Sequence, residues 1–238
     1  MLEENLREIF TKIEASCKRV KRDSKEITLV CVTKGIGLEK IREVVKLGMS
    51  DIGENRVQDA LKKFNELYSA DDRSQVNIRW HMVGHLQRNK AKYAVRIFDL
   101  IHSVDSFKLA EEINKEAEKI NKIQNILIQV NTSGEKTKFG VNPEDLFSLA
   151  KEILKFKHLN LKGLMTIAPE VENPEDTRPY FRKLRELFDE FNHLTNYQLT
   201  ILSMGMSQDF GIAIEEGANV LRIGRAIFKG EPPDLEFI

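Results

Sequence analysis

The chain is short of several things, and each shortage narrows the reading. Cysteine occurs only at Cys17 and Cys31 in 238 residues. Cys17 falls on the apolar face of a helical pattern and Cys31 inside a β-type run. Both therefore read as buried hydrophobes rather than a disulfide, a usage that suits a reducing compartment. Net charge is missing too, because 37 basic residues balance 37 acidic ones. No overall field draws the chain to nucleic acid or to an anionic membrane. No apolar run approaches membrane-spanning length. The opening MLEENLREIF is acidic and amphipathic rather than basic and then apolar, so the expectation is a cytoplasmic protein without a signal peptide. No Cys/His/Asp cluster has zinc spacing, and Gly35-Ile-Gly37 lacks the third glycine of a dinucleotide fingerprint.

What is present is a long alternation of β-type runs with helical patterns. The runs are Ile27–Thr33, Asp51–Glu54, Ile78–Val83, Leu100–Val104, Asn125–Asn131, Leu161–Thr166, Leu199–Met204 and Val220–Ile223. A helix is expected after each of the first seven, and another precedes them all, with Leu2, Leu6, Ile9, Phe10, Ile13 and Cys17 on one face. The helix after the fifth run opens with Asn142-Pro143, a capping residue followed by proline at the first helical position. The next is preceded by Ala168–Pro179, whose three prolines and four acids read either as a lid or as plain surface. After the eighth run a short segment ends in Glu231-Pro-Pro-Asp234, so an eighth following helix is brief or atypical.

Alternation of this kind belongs to the α/β class with a parallel sheet. An open doubly wound sheet shares the pattern, but eight units without a nucleotide fingerprint favour closure. The expected fold is a single (β/α)8 TIM barrel over residues 1–238 with an extra N-terminal helix.

Strand parity then places side chains. Val30, Val32 and Lys34 share one face, as do Ile201, Ser203 and Gly205, and as do Val220, Arg222 and Gly224. If these faces point inward, an amine, a hydroxyl and a guanidinium converge at the C-terminal mouth, where barrel enzymes keep their sites. Barrels often bind phosphate with the loops after strands seven and eight. Here those loops hold Ser203, Gly205, Met206, Ser207, Gly224 and Arg225, and Ser207 is placed to open a helix over Gln208–Glu216. A lysine packed against Val32 beside a cation gains reactivity toward an aldehyde. An amine, a phosphate cradle and a fixed cation are what pyridoxal phosphate requires. The bland alternatives are a solvated strand-end lysine, an ordinary helix cap at Ser207 and a tight turn at Gly224. Asn55 either hydrogen-bonds a ligand or caps the next helix, and His81 and His85 read as hydrogen-bonded core or loop histidines.

Several stretches together resemble the YggS/PROSC family of pyridoxal-phosphate homeostasis proteins. They are Val32-Thr-Lys34, Ile52-Gly-Glu-Asn55, His81-Met-Val-Gly84, Leu86-Gln-Arg-Asn-Lys90, Gly163-Leu-Met165, Leu202-Ser-Met-Gly-Met-Ser207 and Leu221-Arg-Ile-Gly224. They occur in the family's order over nearly the whole chain. The resemblance implies a barrel like the alanine racemase N-domain (fold type III), with pyridoxal 5'-phosphate as cofactor in Schiff-base linkage to Lys34. It further implies Arg222 facing the pyridine nitrogen, Ser203, Ser207 and Gly224 around the phosphate, and Asn55 near the ring. Arg225 stands where the family usually has a small Thr or Ser, and Gly35-Ile-Gly37 replaces a more basic or proline-containing stretch.

The function expected on these grounds is storage, buffering or delivery of the cofactor. The partners are pyridoxal phosphate and, as recipients, apo forms of enzymes that use it, with the chain a monomer or weak homodimer. An active racemase or lyase is the alternative, and a sugar-phosphate enzyme a third. Two-base racemisation is disfavoured, since Tyr68, Tyr93, Tyr180 and Tyr197 all lie outside the predicted strand ends.

Overall fold

In the computed structural model, which describes residues 1–68, 77–135, 137–231 and 234, the alternation closes on itself. Eight parallel strands form a barrel in sequence order, with the last paired to the first. They are β1 (Thr28–Val32), β2 (Asp51–Glu54), β3 (Arg79–Met82), β4 (Leu100–Val104), β5 (Gln124–Gln129), β6 (Leu159–Met165), β7 (Ile201–Ser203) and β8 (Val220–Ile223). Around them lie α1 (Leu2–Arg19), α2 (Leu38–Lys46), α3 (Val57–Tyr68), α4 (Ala91–Ile97), α5 (Phe107–Lys119), α6 (Leu146–Ile153), α7 (Arg178–Leu194) and α8 (Phe210–Glu215). The expected closed barrel is therefore what the chain forms.

β1 and the centre of β5 read as apolar runs because both of their faces are covered. Leu29, Cys31, Ile52, Trp80, Ile101, Ile126 and Ile128 fill the layer between strands and helices. Val30, Val83 and Val220 pack inside the barrel with Val32 and Ile201. Strand parity is thus as read, with Val30 in and Cys31 out.

Three local features differ from expectation. Phe10 is 43% exposed, because one step along α1 from Ile9 carries it off the buried stripe of Leu2, Leu6, Ile9, Ile13 and Cys17. Asn142 precedes a 3-10 turn at Pro143–Asp145, and its side-chain amide donates to Asp145 instead of capping. The loop after β6 stops at Thr177, and Pro179 sits in the first turn of α7, where its missing N–H costs no hydrogen bond.

Past β8, residues 225–230 form turns rather than a helix, and Pro232 and Pro233 lie outside the described residues. The open place on the helical ring is filled by α1. It packs against α8, and Asn5 Nδ2 donates to the carbonyl of Ile227 at 2.9 Å. Among the described residues no helix is long and apolar enough to cross a membrane.

Candidate functional site

β1 ends at Val32, and a buried knot fixes the residues just past it. Thr33 Oγ1 donates to Glu54 Oε1 at 2.5 Å, and Lys63 Nζ donates to the same oxygen and to the Thr33 carbonyl, each at 2.7 Å. Burial raises the Glu54 carboxyl above its ordinary value, against the pull of Lys63. Beyond this knot the chain turns at Gly35, whose φ of 71° suits glycine, and Lys34 is left exposed at the barrel mouth. Lys34 is not packed against Val32, because the strand has already ended and the turn leaves the residue exposed.

β7 and β8 supply the floor. Arg222 is 4% exposed; its Nη1 donates to Ser203 Oγ at 2.6 Å and its Nη2 to the Thr166 carbonyl at 2.8 Å. Burial lowers the guanidinium to about 10, with Asp209 opposing, so it remains a cation at neutral pH. At Gly224 an added Cβ would stand 2.8 Å from the Val32 carbonyl oxygen, so the loop after β8 lies tight against β1.

The loop after β7 is built differently from expectation. Gly205 adopts φ 95°, and the Asp209 carboxylate accepts from the Met206 N–H at 2.5 Å. α8 consequently begins at Phe210, not Gln208, and Ser207 is not its cap. Ser207 Oγ instead accepts from the Ala226 N–H at 3.2 Å, joining the two loops.

These pieces enclose a cavity of about 420 Å³, within the range usual for small-ligand pockets. Of the predicted site residues, Lys34, Asn55, Met206, Ser207, Arg222, Gly224 and Arg225 line it. Asn55 sits beside Gly84, where an added Cβ would collide with the Asn55 carbonyl oxygen. Arg225 reaches Glu170 only at 3.9 Å and remains largely exposed. Ser203 does not line the cavity. It is fully buried beneath it, with its hydroxyl engaged by Arg222 and His102. A primary amine, a buried cation and paired serine and glycine loops suit a ligand that is an aldehyde at one end and a phosphate at the other.

The sequence reading missed His102, Asp51 and Lys63. His102 sits inside β4 among apolar residues, and parity with Leu100 was the available sign that it faces the interior. Asp51 opens its strand, where an acid usually signals only an edge. His81, read as a hydrogen-bonded core histidine, bonds Asp51 and His102 at 2.9 Å each.

The geometry defines a class, the closed eight-stranded parallel barrel with a lysine just past its first strand and a cavity at its mouth. The family described as alanine racemase, N-terminal domain, matches residues 9–232. An alanine racemase from Clostridium difficile shares the fold at a TM-score of 0.73 and 15% identity, over 99% of this chain and 59% of that one. A pyridoxal phosphate homeostasis protein of Aquifex aeolicus is 47% identical over 225 residues, 94% of this chain and 96% of the relative. PipY of Synechococcus elongatus, solved with pyridoxal phosphate bound, has a TM-score of 0.81 and 32% identity, covering 96% of this chain and all of that one. The chain belongs to the family of pyridoxal phosphate homeostasis proteins, built on the alanine racemase N-terminal domain.

Proposed function

We propose that this chain binds pyridoxal 5'-phosphate as a Schiff base on Lys34 and stores, buffers or delivers it. The observation that supports this most is the single cavity shared by Lys34, Arg222, Ser207 and Gly224, which come from opposite ends of the sequence. Arg222 would face the pyridine nitrogen, Ser207, Gly224 and Arg225 would hold the phosphate, and Asn55 and Met206 would lie near the ring. Ser203 serves Arg222 from below rather than the phosphate, since its hydroxyl is already engaged.

When bound, the cofactor supplies an electron sink for amino-acid carbanions. Arg222 weakens that capacity, because a guanidinium gives up no proton to the pyridine nitrogen as a carboxylic acid would. None of the four tyrosines lines the cavity, which leaves a two-base racemase without its second base. Holding the cofactor without robust turnover fits both facts. Recipients are apo enzymes that use pyridoxal phosphate, the chain is a monomer or weak homodimer, and the buried free thiols of Cys17 and Cys31 suit the cytoplasm.

Two measurements test the reading. Loaded protein mixed with an apo enzyme should restore that enzyme's activity faster than an equal concentration of free cofactor in the presence of a scavenger. Exchange of the α-hydrogen with solvent deuterium, across a panel of amino acids, should not exceed the rate of free pyridoxal phosphate. Exchange at catalytic rates would replace storage with a racemase or lyase.

A further inference from the structure

Barrel interiors are normally filled by layers of branched apolar side chains. Here a polar thread crosses the interior. Asp51 Oδ1 meets His81 Nε2 at 2.9 Å, and His81 Nδ1 meets His102 Nε2 at 2.9 Å. His102 Nδ1 meets Ser203 Oγ at 2.9 Å, and Ser203 Oγ meets Arg222 Nη1 at 2.6 Å. Each of the five residues is at most 6% exposed. The thread runs from the N-terminal end of β2 through β3 and β4 to β7 and β8.

With both rings neutral, its ends fix its direction. Arginine can only donate and a carboxylate can only accept. Arg222 therefore donates to Ser203, whose own hydrogen goes to His102 Nδ1. His102 then donates from Nε2 to His81 Nδ1, and His81 donates from Nε2 to Asp51. The whole set closes with both rings neutral and one proton on each Nε2. An added proton on the ring pair would turn His102 Nδ1 into a donor. Ser203 would then accept twice, its own hydrogen would lose His102 as acceptor, and a second cation would enter the buried thread. Burial, with His81 and Arg222 nearby, holds His102 well below the ordinary histidine range, in agreement with a neutral ring. At the far end burial works against the Asp51 carboxylate, but bonds from His81 and Arg79 outweigh it.

We propose that His102 and His81 are positioning residues for Arg222, holding Ser203 Oγ as an acceptor and so fixing the guanidinium at the cavity floor. The proposal rests on the pyridoxal-phosphate reading only for what Arg222 faces. The direction of the hydrogen bonds stands on this chain's own residues.

The test has two arms. Nitrogen-15 spectra of the imidazoles in the cofactor-free full chain should show both rings neutral with the proton on Nε2. A charged ring, or a proton on His102 Nδ1, overturns the relay. In the second arm His102→Phe keeps the ring's bulk and removes both hydrogen bonds, whereas His102→Gln retains one donor and one acceptor. Pyridoxal phosphate should bind His102→Phe about tenfold more weakly, the loss seen when outer partners of metal ligands are removed. His102→Gln should recover most of that loss. Equal affinity of wild type and His102→Phe overturns the positioning role, and so does a loss that His102→Gln fails to reduce. A wild-type chain that takes up no cofactor sinks the reading of the site, while the ring spectra still decide the relay.

Discussion

Lys63 Nζ lies 2.7 Å from the carbonyl oxygen of Thr33, the residue immediately before the exposed Lys34. The same ammonium lies 2.7 Å from Glu54 Oε1, with both side chains wholly buried. The mouth lysine thus stands on a backbone pinned by an ion pair that water does not reach. Removing one partner of a buried pair leaves an uncompensated charge, at a cost of about 3–5 kcal/mol. Lys63→Met should lose stability of that size in urea unfolding, and adding Glu54→Leu should recover much of it. A single variant that unfolds at the wild-type denaturant concentration would contradict this.

The interior histidine gives a pH dependence with a definite sign. The folded-state pKa of His102 is depressed from its ordinary 6.5, so as pH falls below that value the unfolded chain takes up a proton that the folded one refuses. Stability should therefore decline toward acid, by up to about 1.4 kcal/mol per pH unit for this group. Asp51 adds a loss of the same sign at lower pH, below its ordinary 3.8, because its folded carboxyl is also depressed. Melting curves from neutral pH to pH 4.5 should show a shallower decline in His102→Gln than in wild type.

Gly224 provides a steric test of the phosphate end. Its added Cβ would press on the Val32 backbone oxygen at 2.8 Å, which no rotamer change relieves. Gly224→Ala should push the loop after β8 away from β1 and cost about 1–3 kcal/mol, typical of overpacking. Weaker binding of pyridoxal phosphate should accompany the lower melting temperature.

Arg225 should behave in the opposite way. Its side chain is 71% exposed and reaches Glu170 only at 3.9 Å. Arg225→Ala should change stability by less than about 0.5 kcal/mol. If Arg225 attracts the phosphate, the variant's deficit in cofactor affinity should be larger at low salt than at high salt, as screening requires.

Much of the fold was legible because strands covered on both faces are largely apolar where they are buried, as Leu29–Val32 in β1 and Ile126–Ile128 in β5 are. Parity along those strands also brought Lys34, Arg222 and Gly224 to one mouth. What resisted reading depended on curvature. His102 and Ser203 are 101 residues apart and meet only because the barrel closes β4 toward β7. Lys63, on α3, resembled any surface lysine until its helix was seated against β1 and β2. Ser207 looked like a helix cap because no local pattern announces a hydrogen bond from Ala226.

Everything turns on Lys34 as the point of attachment. Borohydride reduction of the loaded protein, followed by peptide mass mapping, should place one pyridoxyl phosphate on Lys34, with loss of the visible band and no such adduct in Lys34→Ala. A chain that stays colourless, or an adduct spread over surface lysines and undiminished in Lys34→Ala, would contradict the account.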